Sequence, residues 1–266
     1  MPKLRKTILP RIKKALKEKG LRRTVFACLR GPYQLFADYR KAKANYERPP
    51  VEDEFDLRYG VETSTRVHLT DLKIESENWI YAGGYWPSAT EVVGEALSAI
   101  SIRCEDFVFV DFGSGKGRVL LQASDLPFRK IIGVEFSSEL HNIAVNNIGC
   151  YKSENQKCHE IESVCMDFTR FEIPREPLVA FLYNPSSKAI TEMLAGNIAK
   201  SLAQYPRELW VIYVTPTYDV FEGGKPLDLR KLKSTGKYSI FSNSTASVGT
   251  GRDPQKQGVP PELTNI

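Results

Sequence analysis

The chain has 266 residues, 42% of them hydrophobic, which is enough for one large domain with its own core and an extension. Its apolar runs are only as long as strands, so no membrane-spanning helix of roughly 20 apolar residues is predicted, and the N-terminus lacks the apolar block of a secretory signal. The five cysteines and three histidines show neither CxxC nor metal-ligand spacing. We therefore expect reduced thiols, no metal site and a cytoplasmic protein.

The first 50 residues carry most of the positive charge. They hold 15 of the 37 Lys and Arg residues but only 3 of the 32 Asp and Glu residues, so the remainder of the chain is acidic. Leu and Ile recur at helical spacing among the cations of residues 4–29, and a second helical stretch covers 33–46. We predict a basic amphipathic helical extension over residues 1–49. A solvated face packed on the body, docking to anionic lipid at a membrane surface, and docking to nucleic acid remain alternatives.

Strands alternate with helices through the middle of the chain. After a helix over 89–101, the apolar runs predict strands at 107–112, 130–136, 161–166, 178–183 and 209–215, with helices at 117–124, 138–148 and 188–204. This alternation is typical of parallel α/β packing. The nearly continuous apolar character of the strands fits a sheet that is covered on both faces.

The C-terminal part of the chain has weaker patterns. Residues 237–245 predict an antiparallel edge strand or a hairpin. Residues 251–266 are rich in Gly, Pro and polar side chains, and we predict a flexible tail there. The alternating domain is accordingly placed at 50–250.

A glycine-rich turn follows the first of the alternating strands. Asp111 ends the strand, and Gly113, Gly115 and Gly117 follow at every second position. Such glycines permit unusual backbone angles and close approach of a ligand, and the carboxyl end of a parallel strand is where ligand crevices form. The pattern does not fit the nucleoside triphosphate loop GxxxxGK[ST], and its third glycine comes one residue too early for the dinucleotide loop GxGxxG. A nicotinamide oxidoreductase stays open as an alternative.

Polar residues also stand at the ends of the next three strands. Glu135 ends the second strand, 18 residues after Gly117, where an acid can accept hydrogen bonds from both hydroxyls of a ribose. Asp167 follows the third strand, and Asn184 with Pro185 follows the fourth. Four such strand ends in order are more specific than the glycine turn alone.

The order Asp-x-Gly-x-Gly-x-Gly at 111–117, with these strand ends, resembles class I S-adenosylmethionine-dependent methyltransferases over about residues 80–220. The string around motif I is most similar to the Dot1-type lysine methyltransferases and their bacterial relatives. The resemblance implies a doubly wound, mostly parallel seven-stranded Rossmann-like sheet. It also implies S-adenosyl-L-methionine as cofactor and transfer of its methyl group to a nucleophile.

Individual roles follow from the same resemblance. It implies that the cofactor contacts Tyr85, Asp111, Gly113, Ser114, Gly115, Gly117, Glu135, Asp167, Phe168 and Asn184. Asp167 would meet the adenine amino group, Phe168 would pack on the ring, and Tyr85 would belong to a loop that closes over the cofactor. Asn184 is similar to the first residue of the [DN]PP[YF] motif of amino-methylating members. It is therefore predicted to be catalytic, together with the main-chain carbonyl of Tyr183.

Two serines, Ser186 and Ser187, depart from the second Pro and the aromatic residue of that motif, which leaves the methyl acceptor open. Protein lysine comes first by branch resemblance, then a small molecule or lipid, then RNA or DNA. A non-catalytic cofactor-binding partner protein is a further alternative, and the oligomeric state is not predicted.

Some residues near the motifs have plainer interpretations. Asp111 could cap the following helix, and Asp167 could serve only its own turn. Lys116 and Arg118 could be solvent-facing charges, and neither is assigned a role. Three earlier residues are either part of the site or members of an ordered loop, namely Asp56, Tyr59 and Glu62.

Overall fold

The computed structural model describes residues 53–68, 71–72, 84–183, 187–218, 220–222, 227 and 229–244. The predicted basic extension over 1–49, the predicted tail over 251–266 and Asn184 lie outside these residues. Within the described part of the chain, no helix has the length and apolar character needed to cross a membrane.

A seven-stranded sheet organises the domain. Its strands are β1 (Val108–Phe112), β2 (Lys130–Glu135), β3 (Ile161–Cys165), β4 (Leu178–Tyr183), β5 (Leu209–Val214), β6 (Arg230–Ser234) and β7 (Tyr238–Ser242). Their spatial order is β3-β2-β1-β4-β5-β7-β6. The first five strands run parallel, and β7 is antiparallel to both β5 and β6. This topology confirms the predicted doubly wound, Rossmann-like methyltransferase fold, with its switch point between β1 and β4.

Helices cover both faces of the sheet. They are α1 (Glu54–Tyr59), α2 (Thr90–Ser98), α3 (Arg118–Ala123), α4 (Ser138–Cys150) and α5 (Lys188–Gln204), and short 3-10 turns lie at Cys104–Asp106 and Phe168–Arg170. One hydrophobic cluster joins the sheet to α5, and a second joins it to α2 and α3. Because side chains of a strand alternate between faces, the first, third and fifth residues of β1 enter the α5 cluster, while its second residue enters the other.

The C-terminal hairpin differs from its prediction in one respect. The segment predicted over 237–245 as an edge strand or a hairpin forms β7, which pairs with β6 in an antiparallel hairpin. It lies inside the sheet between β5 and β6, so the edge alternative was wrong. The edge is β6, whose sequence Arg-Lys-Leu-Lys-Ser carries no apolar alternation and was not predicted as a strand. Cations are typical of an exposed edge strand, because they oppose pairing with further strands.

Candidate functional site

The glycine turn connects β1 to α3 at the carboxyl edge of the sheet. Gly113, Gly115 and Gly117 have φ angles of 89°, 54° and 85°, in the left-handed region that favours glycine. A β-carbon at Gly115 would lie 2.4 Å from the ring of Tyr85, and one at Gly117 would lie 3.3 Å from Cβ of Ala144. A β-carbon at Gly113 would meet nothing within 4 Å. Packing therefore explains two of the glycines, whereas Gly113 has open space beside it.

The N–H groups of this turn donate within the protein. Those of Gly113 and Ser114 reach the carbonyl oxygen of Val134 at 2.9 and 3.2 Å. That of Gly115 donates to Oε2 of Glu135 at 2.9 Å. A phosphate-binding loop instead presents its N–H groups to the ligand. The side chain of Glu135 already accepts the N–H group of Gly115, so that N–H group is not presented to a phosphate.

Two buried carboxyl groups stand beside the turn. Asp111 is 2% exposed, and its Oδ2 has no hydrogen-bond partner among the described residues. Burial, together with the charge of Glu135, raises the pKa of Asp111 well above its ordinary value. Glu135 is 3% exposed, and burial raises its pKa to about 7, although N–H groups of Ser137 and Gly115 donate to it. Two acids held in this way favour a cationic ligand, because its charge would stabilise their ionised forms.

Tyr85 covers the turn. Its half-buried ring lies against Gly115, and its hydroxyl donates to the carbonyl oxygen of Thr63 at 2.6 Å. Its main chain forms an isolated antiparallel bridge with Val67. Burial raises the pKa of Tyr85, so the phenol stays protonated and can keep donating to Thr63. This position agrees with a loop over the turn, while contact with a cofactor stays a prediction.

The segment 84–89 runs from the glycine turn to the end of β4. Beyond Tyr85, the N–H group of Ala89 lies 3.5 Å from the hydroxyl oxygen of Tyr183. Between them Trp86 is 50% exposed, with the guanidinium carbon of Arg66 4.3 Å from its ring centroid. This segment therefore forms a rim between the glycine turn and the strand that precedes Asn184.

The end of β3 lies beside the end of β2, because the N–H group of Met166 donates to the main-chain oxygen of Glu135 at 2.8 Å. Asp167 accepts a hydrogen bond at 2.9 Å from the main-chain N–H two residues later, so it caps the following 3-10 turn. The ring of Phe168 meets Phe112 edge-on, with centroids 6.0 Å apart. The predicted contacts of both residues with adenine stay predictions.

The interpretation of Lys116 and Arg118 as solvent-facing charges is wrong. Their side chains are 2% and 4% exposed. Lys116 Nζ lies 2.6 Å from Glu62, and the Arg118 guanidinium lies 2.8 Å from Asp53 and 3.4 Å from Asp56. Asp56 and Glu62 therefore bind the cations of the turn. Sequence reasoning missed this because nothing local marks the distant partner of a buried cation.

Two other plain interpretations are settled by the geometry. Asp111 does not cap α3, since the N-cap residue is Gly117 and receives no side-chain hydrogen bond. Tyr59 packs between the rings of Phe55 and Tyr151, with centroids 4.9 and 4.8 Å away. It therefore belongs to a small aromatic cluster rather than to the glycine turn.

A separate cleft of about 630 Å³ opens where α1 and α2 meet the C-terminal end of α3. Its lining includes Asp53, Glu91, Leu97 and Asp125. It lies at the opposite end of α3 from the glycine turn and is not the crevice predicted from the motifs. Among the described residues, no group of His, Cys, Asp and Glu side chains could hold a metal ion.

No protein-family model and no curated protein matches the sequence. Solved structures similar to this chain include an RNA methyltransferase from Salinibacter ruber in complex with S-adenosyl-L-homocysteine, at 16% identity and a TM-score of 0.41, covering 67% of this chain and 99% of that one. The 23S rRNA methyltransferase ErmE is 14% identical with a TM-score of 0.41, covering 58% of this chain and 67% of that one. The mitomycin 7-O-methyltransferase MmcR is 14% identical with a TM-score of 0.40, covering 57% of this chain and 52% of that one.

Proposed function

We propose that this chain is a class I S-adenosyl-L-methionine-dependent methyltransferase. The observation that carries the proposal is the pair of buried acidic side chains beside the glycine turn. The N–H groups of the three glycines and of Ser114 are already donated within the protein, and the carboxyl groups of Asp111 and Glu135 lie beside the turn. NAD and ATP would bring phosphates to this place, whereas S-adenosylmethionine is a nucleoside with a cationic sulfonium and an ammonium group. Two buried acids favour a ligand with cationic groups, which supports the cofactor that the motif order implies.

The residues around the turn fit such a ligand. The open space at Gly113 leaves room for it, and the unpartnered Oδ2 of Asp111 offers an acceptor to a cationic group. Glu135 would accept the ribose hydroxyls, and Tyr85 would cover the bound molecule. When bound, the cofactor supplies a methyl carbon activated by the sulfonium. The protein then has to hold the acceptor in line with the methyl carbon and exclude water. This positioning can by itself supply a large part of the reduction of the activation barrier.

Thermal unfolding tests the cofactor. S-adenosylhomocysteine at about 100 times its Kd should add about 2.7 kcal/mol, a shift on the order of 5–10 °C for a domain of this size. NAD and ATP serve as controls and should give no shift. A shift with NAD alone would replace the proposal by the dinucleotide alternative.

The acceptor would meet the methyl group at the end of β4. If it is an amine, it must arrive deprotonated, and Asn184 Oδ1 with the main-chain carbonyl of Tyr183 would accept its remaining hydrogens. This role rests on the resemblance of motif IV and on the place of Tyr183 at the end of β4, beside the switch point. We expect Asn184→Ala to bind S-adenosylhomocysteine normally and to transfer methyl groups far more slowly. Full turnover by this variant would contradict the role.

The acceptor class is proposed from the Dot1-type resemblance, which puts a protein lysine first, with small molecules, lipids and nucleic acids as the other classes. The exposed ring of Trp86 on the rim would offer an apolar contact to the acceptor. A methyl-labelled donor incubated with fractionated lysate distinguishes the classes by the sensitivity of the labelled product to protease, nuclease or organic extraction. Cofactor binding without label transfer to any fraction would favour a non-catalytic partner protein, the second candidate, which the serines of motif IV keep open.

A further inference from the structure

Lys116 and Arg118 are the two buried cations at the glycine turn. They bind a segment that we call the strap, residues 53–68, which includes α1. Lys116 Nζ donates to Glu62 at 2.6 Å and to the carbonyl oxygen of Thr65 at 2.8 Å. Arg118 Nε donates to the hydroxyl oxygen of Thr63 at 2.7 Å. Two buried cations thus fasten the turn to the strap.

Both apolar and polar contacts attach the strap, since Val61 packs with Leu121 and Tyr151 in a small hydrophobic cluster. Its helix α1 has six residues and no buried side chain. A helix of that length is not stable by itself in water. Deeper burial in the strap is limited to Val61 at 9% and Thr63 at 0% exposure. The strap is therefore held by this small cluster together with its hydrogen bonds and ion pairs with the turn and with α4.

Asn147 supplies the contact with α4. Its side chain is fully buried, accepts the N–H group of Glu62 at 2.9 Å and donates to the carbonyl oxygens of Glu62 and Lys116, each at 2.9 Å. One amide thereby joins the main chain of the strap to the main chain of the turn. This places the strap and the turn in one hydrogen-bonded unit.

Thr63 connects Arg118 to the cover of the crevice. Its hydroxyl oxygen accepts from Arg118, and its carbonyl oxygen accepts the hydroxyl of Tyr85 at 2.6 Å. The ring of Tyr85 in turn lies where a β-carbon of Gly115 would be. A single residue of the strap therefore relates the guanidinium to the ring that covers the turn.

Asp56 faces Arg118 as an ionised carboxylate. Asp56 lies 3.4 Å from the guanidinium, and it accepts main-chain N–H groups of Thr63 and Ser64 at 2.8 and 2.7 Å. Burial acts to raise the pKa of Asp56, but the hydrogen bonds from Thr63 and Ser64 outweigh it, so the pKa lies below its ordinary value. Asp56 is therefore ionised at neutral pH and binds both the strap main chain and the cation.

We propose that Arg118 is a positioning residue for the cofactor, which holds the Tyr85 ring over Gly115 through Thr63. The inference rests on the proposed function, because it assumes that the cofactor binds at this turn. Arg118 itself touches no reacting atom. Its planar guanidinium donates to Thr63 while it faces Asp53 and Asp56, an arrangement that the single ammonium of a lysine cannot reproduce.

Amide hydrogen exchange tests the positioning without any ligand. In Arg118→Gln and in the nearly isosteric Thr63→Val, we expect the main-chain amides of Ser64 and Tyr85 to exchange at least about tenfold faster, because the strap opens locally. Leu194→Ala removes a buried side chain of α5 on the other face of the sheet and serves as the destabilised control. Wild-type protection of both amides in both Arg118→Gln and Thr63→Val would overturn the proposal.

Calorimetric titration with S-adenosylhomocysteine then tests the effect on the cofactor. We expect Arg118→Gln, Thr63→Val and Tyr85→Phe to weaken binding by on the order of tenfold each, with Arg118→Lys between wild type and Arg118→Gln. The double variant of Arg118→Gln with Tyr85→Phe should lose little more than either single variant, because both break one chain of contacts. Leu194→Ala should keep the wild-type Kd.

The outcomes separate the two proposals. A wild-type protein that binds no S-adenosylhomocysteine contradicts the proposed function and, with it, the role of Arg118 toward the cofactor, whatever the exchange data show. A wild-type protein that binds, with variants that open the strap but keep the wild-type Kd, supports the function and overturns the positioning role. Losses of affinity that simply multiply in the double variant would also overturn it, since they would mean that Arg118 acts independently of Tyr85.

Discussion

The carboxyl edge of the sheet differs between two regions: the fixed end, at β1 and β2, and the open end, at β4 and β5. At the ends of β1 and β2, Asp111 and Glu135 are almost fully buried and the turn is fastened by buried cations. At the ends of β4 and β5, Tyr183 is half-buried and residues 215–217 are exposed. Thr215 adopts a φ of 50°, an uncommon conformation for a β-branched residue. The fixed end is therefore held by buried groups, whereas the open end is more exposed to solvent.

The largest effect is expected when the fixed end is broken at Gly115. A β-carbon there would be strained by the φ of 54° and would lie 2.4 Å from the Tyr85 ring. We expect Gly115→Ala to lower the free energy of unfolding by about 2 kcal/mol and to abolish measurable binding of S-adenosylhomocysteine. Calorimetry and chemical denaturation measure both effects.

The matched control for that variant is Gly149→Ala, in α4, where a β-carbon would meet nothing within 4 Å. It should gain up to about 1 kcal/mol of stability from helix propensity and bind the ligand normally. Equal ligand affinity in the two alanine variants would show that the close contact between Gly115 and Tyr85 does not matter for binding.

Charge at the fixed end should cost stability in the absence of ligand. The pKa of Asp111 is raised by burial and by Glu135, so the folded state holds its proton to a higher pH than the unfolded state does. Glu135 also lowers the stability as pH rises, between its pKa in the unfolded chain and its folded pKa of about 7. The stability of the wild type should therefore decrease as pH rises from about 4 through these values, since the unfolded chain binds fewer protons.

Asp111→Asn removes the Asp111 part of that slope. We expect the variant to be more stable than the wild type at pH 8 by about 1–3 kcal/mol, the usual cost of a buried unsatisfied group, with a smaller difference at pH 5. It should also be stabilised less by S-adenosylhomocysteine. Thermal unfolding from pH 5 to pH 9 measures the stability of both proteins. A difference that does not grow with pH would contradict the raised pKa of Asp111.

At the open end, Thr215→Gly should relieve the positive φ and cost conformational entropy, with a net change of about 1 kcal/mol or less. We expect the Kd for S-adenosylhomocysteine to stay within about twofold of wild type, while methyl transfer to the natural acceptor falls. A large change in cofactor affinity would show that the two ends are coupled.

The smallest effect is expected at an exposed ion pair. Lys237 and Glu95 lie 2.9 Å apart with side chains 55% and 49% exposed. Lys237→Gln should change the free energy of unfolding by less than about 0.5 kcal/mol, as measured by denaturant titration. A loss as large as that of a variant in the buried strap contacts would mean that burial does not distinguish the two kinds of charge pair.

Much of the domain follows from local sequence patterns. The apolar residues predicted β4 and α5 at their observed bounds, 178–183 and 188–204. Nearly all of β4 and one face of α5 are buried, so burial leaves a clear pattern in the sequence. The spacing of Gly113, Gly115 and Gly117 predicted a turn with unusual backbone angles, and all three glycines adopt positive φ. The edge strand β6 was missed because an exposed, cationic strand buries too little to leave a period in the sequence.

The sequence by itself determined the order of strands and helices, the glycine turn and the acids at strand ends, since periodicity and backbone permissiveness are properties of neighbouring residues. Only the tertiary structure decided that β7 enters the sheet between β5 and β6, that Tyr85 lies on Gly115, and that Lys116 and Arg118 are buried. The hydrogen-bond partners of the two cations lie 30–62 residues away in the chain. Whether a charge can be buried depends on which distant groups surround it, and no local pattern carries that information.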